Sequence, residues 1–265
     1  MENLKKAIAE AQLVLVGIGN EFSQHVHEIN EDPLYHSLVS QIMSEISDEQ
    51  ERENYLQYIK YHYLKNNPDE RIIQAYNQLK DLLGDKNYFV VSICTDDLIY
   101  QSELNKDRIV TPCGGYRALQ CGKECAKVRD PLITDPAVFE EFMESFAICE
   151  GRFSKIDFPV CPECGKILWF NQVGAPEYHE EGYLDQWNLY TKWLQGTMNK
   201  KICILELGVG LQYPQIIRFP FEKIAFYNQK ASFFRIHSKL YQMTEELKER
   251  GVSIKEKPVD FLLKG

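Results

Sequence analysis

Two cysteine pairs constrain this chain more than any other feature. Cys121-Gly-Lys-Glu-Cys125 and Cys161-Pro-Glu-Cys164-Gly165 are separated by residues 126–160. Each short loop offers two sulfurs to one side of a tetrahedron, so a fold that joins the loops makes a four-thiolate zinc site. The wider spacing of the first pair stays within the range zinc ligands use. Gly165 lets the second knuckle turn, because glycine reaches backbone angles other residues avoid. Four thiolates fill the coordination sphere, so this Zn2+ is expected to be structural. Chemistry must then lie elsewhere. Two unrelated pairs of buried or free cysteines are the plain alternative.

The rest of the composition narrows the class. With 265 residues, 44% of them hydrophobic, the chain suits one large domain, or one domain with a small inserted module. Its net charge of −9 argues against a general nucleic-acid surface, which would be basic. Cysteines paired at metal spacing point to a reducing compartment and a cytoplasmic location. Met1 to Glu10 reads as an amphipathic helix, with Leu4, Ala7, Ile8 and Ala11 on one face, and lacks the apolar block of a signal peptide. No run reaches the roughly 18 apolar residues of a membrane span.

Buried strands alternate with helices along the chain. Gln12–Val16 is a branched apolar run ending in Gly17-Ile18-Gly19-Asn20, a pattern for a parallel strand entering a tight turn. Such a turn can hold a phosphate on its free amides, although a lone Gly-x-Gly also fits an ordinary strand exit. Residues 34–84 read as helical, with Asp69 as a cap and Gly84 as a stop. The aromatic run from Tyr55 to Tyr63 reads as a helix face on the core, with a cleft lining as the alternative. Tyr88–Ile93 is the next strand and delivers Thr95, Asp96 and Asp97 at its carboxyl end, where open α/β sheets bind ligands. Helix capping is the simpler role for those residues. Ile109–Val110 is a short strand leading to Cys113. Asp135–Cys149 and Leu184–Met198 are predicted helices, and Ile167–Phe170 is a strand returning to the main domain. Lys201–Leu207 is a third buried strand, ending in Gly208-Val209-Gly210. Ile224–Tyr227 is expected to be a fourth strand ending at Asn228, and Ser232 to cap a long helix stopped by Gly251. The alternation predicts an α/β fold with a doubly wound, parallel, Rossmann-like sheet. Residues 1–112 and 171–265 would form it, and 113–170 would be the inserted zinc-binding module.

In this order, the polar strand ends and the four cysteines resemble the sirtuin family over nearly the whole chain. Gly17-Ile18-Gly19 looks like that family's Gly-Ala-Gly phosphate turn. Thr95-Asp96-Asp97 occupies the place of its Thr-Gln-Asn-Ile-Asp segment, which contacts the nicotinamide and ribose of NAD. Cys113-Gly114-Gly115 matches the His-Gly-Ser motif in position, and Cys121, Cys125, Cys161 and Cys164 match the zinc ligands. Gly208-Val209-Gly210 resembles Gly-Thr-Ser, and Asn228 resembles the Asn of the adenosine-ribose segment. The resemblance implies NAD as cofactor, with Gly17, Gly19, Asn20, Thr95, Gly208, Val209, Gly210 and Asn228 binding it, and a possible protein substrate. Cys113, Asp96 and Asp97 are the catalytic candidates.

The departures fall in the expected active centre. The family's general base is His, and Cys113 stands there. A neutral thiol is a poor substitute unless its neighbours lower its pKa. Asp96 replaces an amide-bearing Asn. Glu21 would put negative charge beside a pyrophosphate unless it turns away. A bacterial subgroup of sirtuins that also lacks the His motif acts as protein ADP-ribosyltransferases. The resemblance therefore implies an enzyme that cleaves the nicotinamide–ribose bond, with ADP-ribosyl transfer or NAD hydrolysis ahead of lysine deacylation. A non-catalytic module that binds NAD or ADP-ribose, or a degenerate scaffold for a protein partner, is the alternative.

Overall fold

A computed structural model describes residues 1–24, 27–122 and 132–265. Its main sheet has six parallel strands: β1 (Leu13–Ile18), β2 (Asn87–Ser92), β3 (Ile109–Val110), and then β7 (Ile202–Leu207), β8 (Ala231–Ile236) and β9 (Gly251–Ile254). They lie in the order β3-β2-β1-β7-β8-β9. That is the doubly wound order, and its reversal falls between β1 and β7. Register is direct across the reversal, with Gly17 opposite Glu206 and Ile18 opposite Leu207.

The central strands read as unbroken apolar runs because helices cover both faces. On one face Val14, Val16, Cys203 and Leu205 share a core with Leu4 and Ile8 of α1 (Glu2–Glu10) and with Ile72, Tyr76 and Leu79 of α4 (Glu70–Leu83). Phe261 and Leu262 of α8 (Pro258–Leu263) complete that core. Helix α4 begins as its sequence predicts: the Asp69 carboxylate accepts from the Arg71 and Ile72 amides. On the other face Phe89 packs against Tyr190 and Trp193 of α6 (Glu181–Gln195). Ile217 and Phe221, at the start of α7 (Arg218–Tyr227), lie over Gly17. This unit comprises Met1–Ser23, Asp69–Gly114 and Tyr183–Gly265.

The second unit comprises Gln24–Pro68 and Gly115–Gly182. It holds α2 (Pro33–Glu45), α3 (Glu49–Asn66), α5 (Pro136–Ala147) and a three-stranded sheet. That sheet sets β4 (Gly114–Gln120) between β5 (Leu132–Ile133) and β6 (Trp169–Gln172). It is therefore larger than residues 113–170, and β6 belongs to it rather than to the main sheet. The reason is a shared aromatic core. Tyr58 of α3 sits 5.1 Å from the Phe142 ring and 4.7 Å from Phe170, and its hydroxyl donates to the Leu168 carbonyl at 2.9 Å. Tyr61 joins Phe170 and Tyr116. Each such buried aromatic contributes about 1.5–3 kcal/mol. The aromatic run of α3 is thus a core face.

Two elements differ from the sequence expectation. Residues 224–227 are the last turn of α7, not a strand, and 231–236 form β8 rather than the start of a long helix. The spacing of Phe233, Ile236, Leu240, Met243 and Leu247 fits a helix. Pairing between β7 and β9, which buries Phe233, Phe234 and Ile236, overrides it. No described helix is long and apolar enough to cross a membrane.

Candidate functional site

The carboxyl ends of β1, β2 and β7 meet at one rim of the main sheet. Gly19 donates its amide to the Leu207 carbonyl at 2.9 Å, and Ile93 donates to the Ile18 carbonyl at 3.0 Å. Space, not conformation, requires the first glycines. Gly19 is extended at φ −110°, but a Cβ there would overlap the Gly208 carbonyl oxygen and the Val209 Cα. A Cβ on Gly17 would overlap Ile217 and come within 2.9 Å of Phe221. Gly208 needs both room and freedom: its φ is +66°, and a Cβ would meet the Glu21 Cβ at 2.7 Å. The turns at 17–20 and 208–210 thus lie directly against each other where strand order reverses. In open α/β sheets such a reversal of strand order is where nucleotides bind.

Beside it, the segment after β2 is held from below. Burial pushes the Cys94 thiol up to about 12, and its sulfur contacts the Gly19 carbonyl at 3.4 Å. Asp96 accepts from the Leu98 amide at 3.0 Å, while Asp97 is left-handed at φ +60°. Asp tolerates that region better than most residues, and backbone held there is characteristic of functional segments. Thr95, Asp96 and Asp97 are half-buried, so they border the rim without being sealed. Asn20 donates its side-chain amide to Gln212.

Cys113 follows β3 and is fully buried. Burial alone pushes its thiol up to about 12. At neutral pH it is a protonated thiol that neither accepts a proton nor attacks an electrophile.

Asn228 is not part of this rim. It caps the carboxyl end of α7 and donates its side-chain amide to the Lys200 carbonyl at 3.0 Å. That carbonyl precedes β7, so Asn228 sits at the opposite end of the strand from Gly208. The residues at the end of β8 are His237 and Ser238. They escaped the sequence reading because the apolar spacing around them is helical. A usable signal was present: two otherwise apolar runs each carry one charge, Glu206 and Arg235. These are neighbours in register on β7 and β8. Arg235 donates to Glu206 at 2.6 Å and to Glu222 of α7 at 2.6 Å. Burial raises the Glu206 carboxyl, and the adjacent Arg235 opposes that rise. Arg218 donates to the Val209 carbonyl at 2.9 Å and the Leu240 carbonyl at 3.1 Å, fixing the loops after β7 and β8.

In the second unit, the sulfurs of Cys121, Cys161 and Cys164 lie within 4.8 Å of one another. The Cys121 and Cys164 sulfurs are 3.6 Å apart. Thiolates at about 2.3 Å from one zinc stand about 3.8 Å apart, so this donor set fits that metal. The second knuckle closes through the Gly165 amide on the Cys161 carbonyl at 2.8 Å, with Gly165 at φ +69°. Cys125, the expected fourth ligand, lies outside the described residues.

No protein-family model matches the chain. It is 23% identical to a protein ADP-ribosyltransferase of Staphylococcus aureus, over 96% of this chain and 83% of that protein. It is also 32% identical, over 51% of its length, to a probable bifunctional ADP-ribose hydrolase/ADP-ribosyltransferase of Fusarium oxysporum, of which the match spans only 23%. A Sir2–p53 peptide–NAD+ structure superposes over 100% of this chain and 96% of that one, with a TM-score of 0.51 at 11% identity. The chain has the sirtuin fold. Within that fold, the doubly wound sheet and the cysteine cluster are where the resemblance placed them. Asn228, which the resemblance assigned to the adenosine ribose, lies away from the rim at the carboxyl end of α7.

Proposed function

We propose that the chain binds NAD at the rim between β1 and β7 and transfers its ADP-ribosyl group to a protein side chain or to water. The observation that carries this reading is the close packing of Gly19 against the Gly208 backbone at the reversal of strand order. Similarity to a protein ADP-ribosyltransferase along nearly the whole chain supports the same reaction. Likeness to a Sir2 structure with peptide and NAD supports the pairing of a dinucleotide with a protein substrate.

In this reading Gly17, Gly19, Asn20, Gly208, Val209 and Gly210 hold the phosphates and sugars, and Thr95 borders the nicotinamide end. When bound, NAD supplies the ADP-ribosyl group and nicotinamide as the leaving group. Asp96 and Asp97 stabilise the positive charge that develops at the ribose carbon as the bond breaks. Lysine deacylation additionally needs a side chain to draw a proton from a ribose hydroxyl. Cys113, protonated at neutral pH, does not serve, so transfer or hydrolysis is favoured. Cys121, Cys125, Cys161 and Cys164 hold one structural zinc ion, whose thiolates suit a reducing, cytoplasmic setting.

The test is to incubate zinc-loaded protein with NAD, follow nicotinamide release and look for ADP-ribose on protein by intact mass. Release without deacylation of an acetyl-lysine peptide is expected. Binding without release would reduce the protein to a nucleotide-binding module, and absence of binding would refute the reading.

A further inference from the structure

The second unit carries a cavity of its own. It measures about 560 Å³ and is walled by the first turns of α3 and by residues of the two cysteine knuckles. A cavity of this size takes a small molecule or one long side chain. Tyr55, Ile167 and Trp169 give it aromatic and apolar surface. The Tyr55 ring is fixed by edge contacts with Phe153 at 4.9 Å and Phe158 at 4.8 Å.

The polar groups on its wall are mainly acceptors. Asn54 lines the cavity and is only 4% exposed. Its Nδ2 faces the Ile167 carbonyl at 3.4 Å, which fixes the amide orientation, and its Oδ1 has no hydrogen-bond partner among the described residues. A buried carbonyl oxygen without a donor is costly, and a bound donor removes that cost. Asp48 and Glu51 line the same cavity and are exposed. Asp48 Oδ1 accepts from the Glu51 amide at 2.8 Å, and Glu51 accepts from the Tyr55 hydroxyl. Both carboxylates keep further lone pairs for a ligand. Cys121 and Cys164 are also on the wall. A zinc ion held by four thiolates is a net negative centre, because the sulfurs outweigh the metal. Lys166 is the basic residue on the described wall, against two carboxylates and that centre.

We propose that this cavity binds an aliphatic ammonium or guanidinium group carried on an apolar stem. The head donates to Asn54 Oδ1 and balances Asp48 and Glu51. The stem lies on Tyr55 and Trp169, whose rings attract cations as well as methylenes. An anion is disfavoured by the carboxylates and by the metal centre, and Asp48 already caps the amides of the first turn of α3. A free amine and a lysine or arginine side chain of a protein share this chemistry. The cavity belongs wholly to the second unit, and none of its residues is among those proposed to hold the dinucleotide.

Calorimetric titration of the zinc-loaded protein with cadaverine, with Nα-acetyl-lysinamide and with pentanol as the neutral analogue, at physiological ionic strength, tests it. One or both amines should bind with a Kd of about 1 mM or tighter, and pentanol at least about tenfold more weakly. Binding of the capped lysine points to a protein side chain as the natural occupant, and binding of cadaverine alone to a free amine. Asn54→Leu should weaken the amine about tenfold, and Glu51→Gln about threefold. Circular dichroism and zinc content check that both variants are folded. Glu51→Gln, at an exposed position, carries the test if Asn54→Leu does not fold. No binding of either amine, equal binding of pentanol, or an affinity unchanged in Glu51→Gln or in folded Asn54→Leu would overturn the proposal. NAD binding is titrated separately, so failure of either reading leaves the other standing.

Discussion

The Gly19 backbone lies against the main chain of Gly208, so close that a side chain at 19 has nowhere to go. Two turns more than 180 residues apart in sequence thereby become one surface. Gly19→Ala should cost at least about 1–3 kcal/mol, because its methyl meets backbone rather than a movable side chain. Denaturant unfolding measures the loss, and NAD titration should show weakened binding in the same variant. Wild-type stability in Gly19→Ala would mean that the turns do not pack as described.

The cysteine cluster predicts one zinc ion per chain. Elemental analysis should find it, and Cys161→Ser should lower stability by about 3 kcal/mol or more. The second unit should lose its near-ultraviolet aromatic signal on chelation, because Tyr58, Phe142 and Phe170 lie in the unit the metal ties together. Metal-free protein with an unchanged aromatic spectrum would contradict this.

Three buried thiols set the alkaline limit. Burial raises Cys94, Cys113 and Cys203 from 9.0 to about 12 each. The folded values lie above the unfolded one, so above pH 9 the unfolded chain gives up protons that the folded chain keeps. Their stabilising contribution is complete below pH 9 and is lost as pH rises toward about 12. Unfolding curves across that range should show the fall, and Cys113→Ala should make it shallower. Iodoacetamide at pH 8 should spare Cys113 in the native protein.

Arg235 is fully buried between two carboxylates. Arg235→Leu should destabilise by about 3–5 kcal/mol, since it removes the buried Glu206's hydrogen-bonded counter-charge. Adding Glu206→Leu should restore much of that loss. A double variant as unstable as the sum of the singles would show that the pair is not coupled.

The sequence displayed the parts whose signals are local. Branched apolar runs marked β1, β2 and β7, Asp69 and Gly84 bounded α4, and cysteine spacing anticipated the cluster of Cys121, Cys161 and Cys164. Segments decided by long-range pairing were misread. Residues 231–236 carry helical spacing, yet they form β8 between β7 and β9, so that His237 and Ser238, rather than Asn228, lie at the carboxyl end of a strand. Glu21 looked like an obstacle because the serine that turns it aside lies 217 positions away. The aromatic run of α3 was read as a core face, but its partners in α5 and β6 were visible only in three dimensions.

The central claim is that a dinucleotide lies over the paired turns of β1 and β7. A crystal structure of the zinc-loaded protein with NAD or ADP-ribose tests it most directly. The account predicts pyrophosphate density over the backbone at 17–20 and 208–210. Ligand density at another surface, or an empty rim at saturating nucleotide, would contradict it.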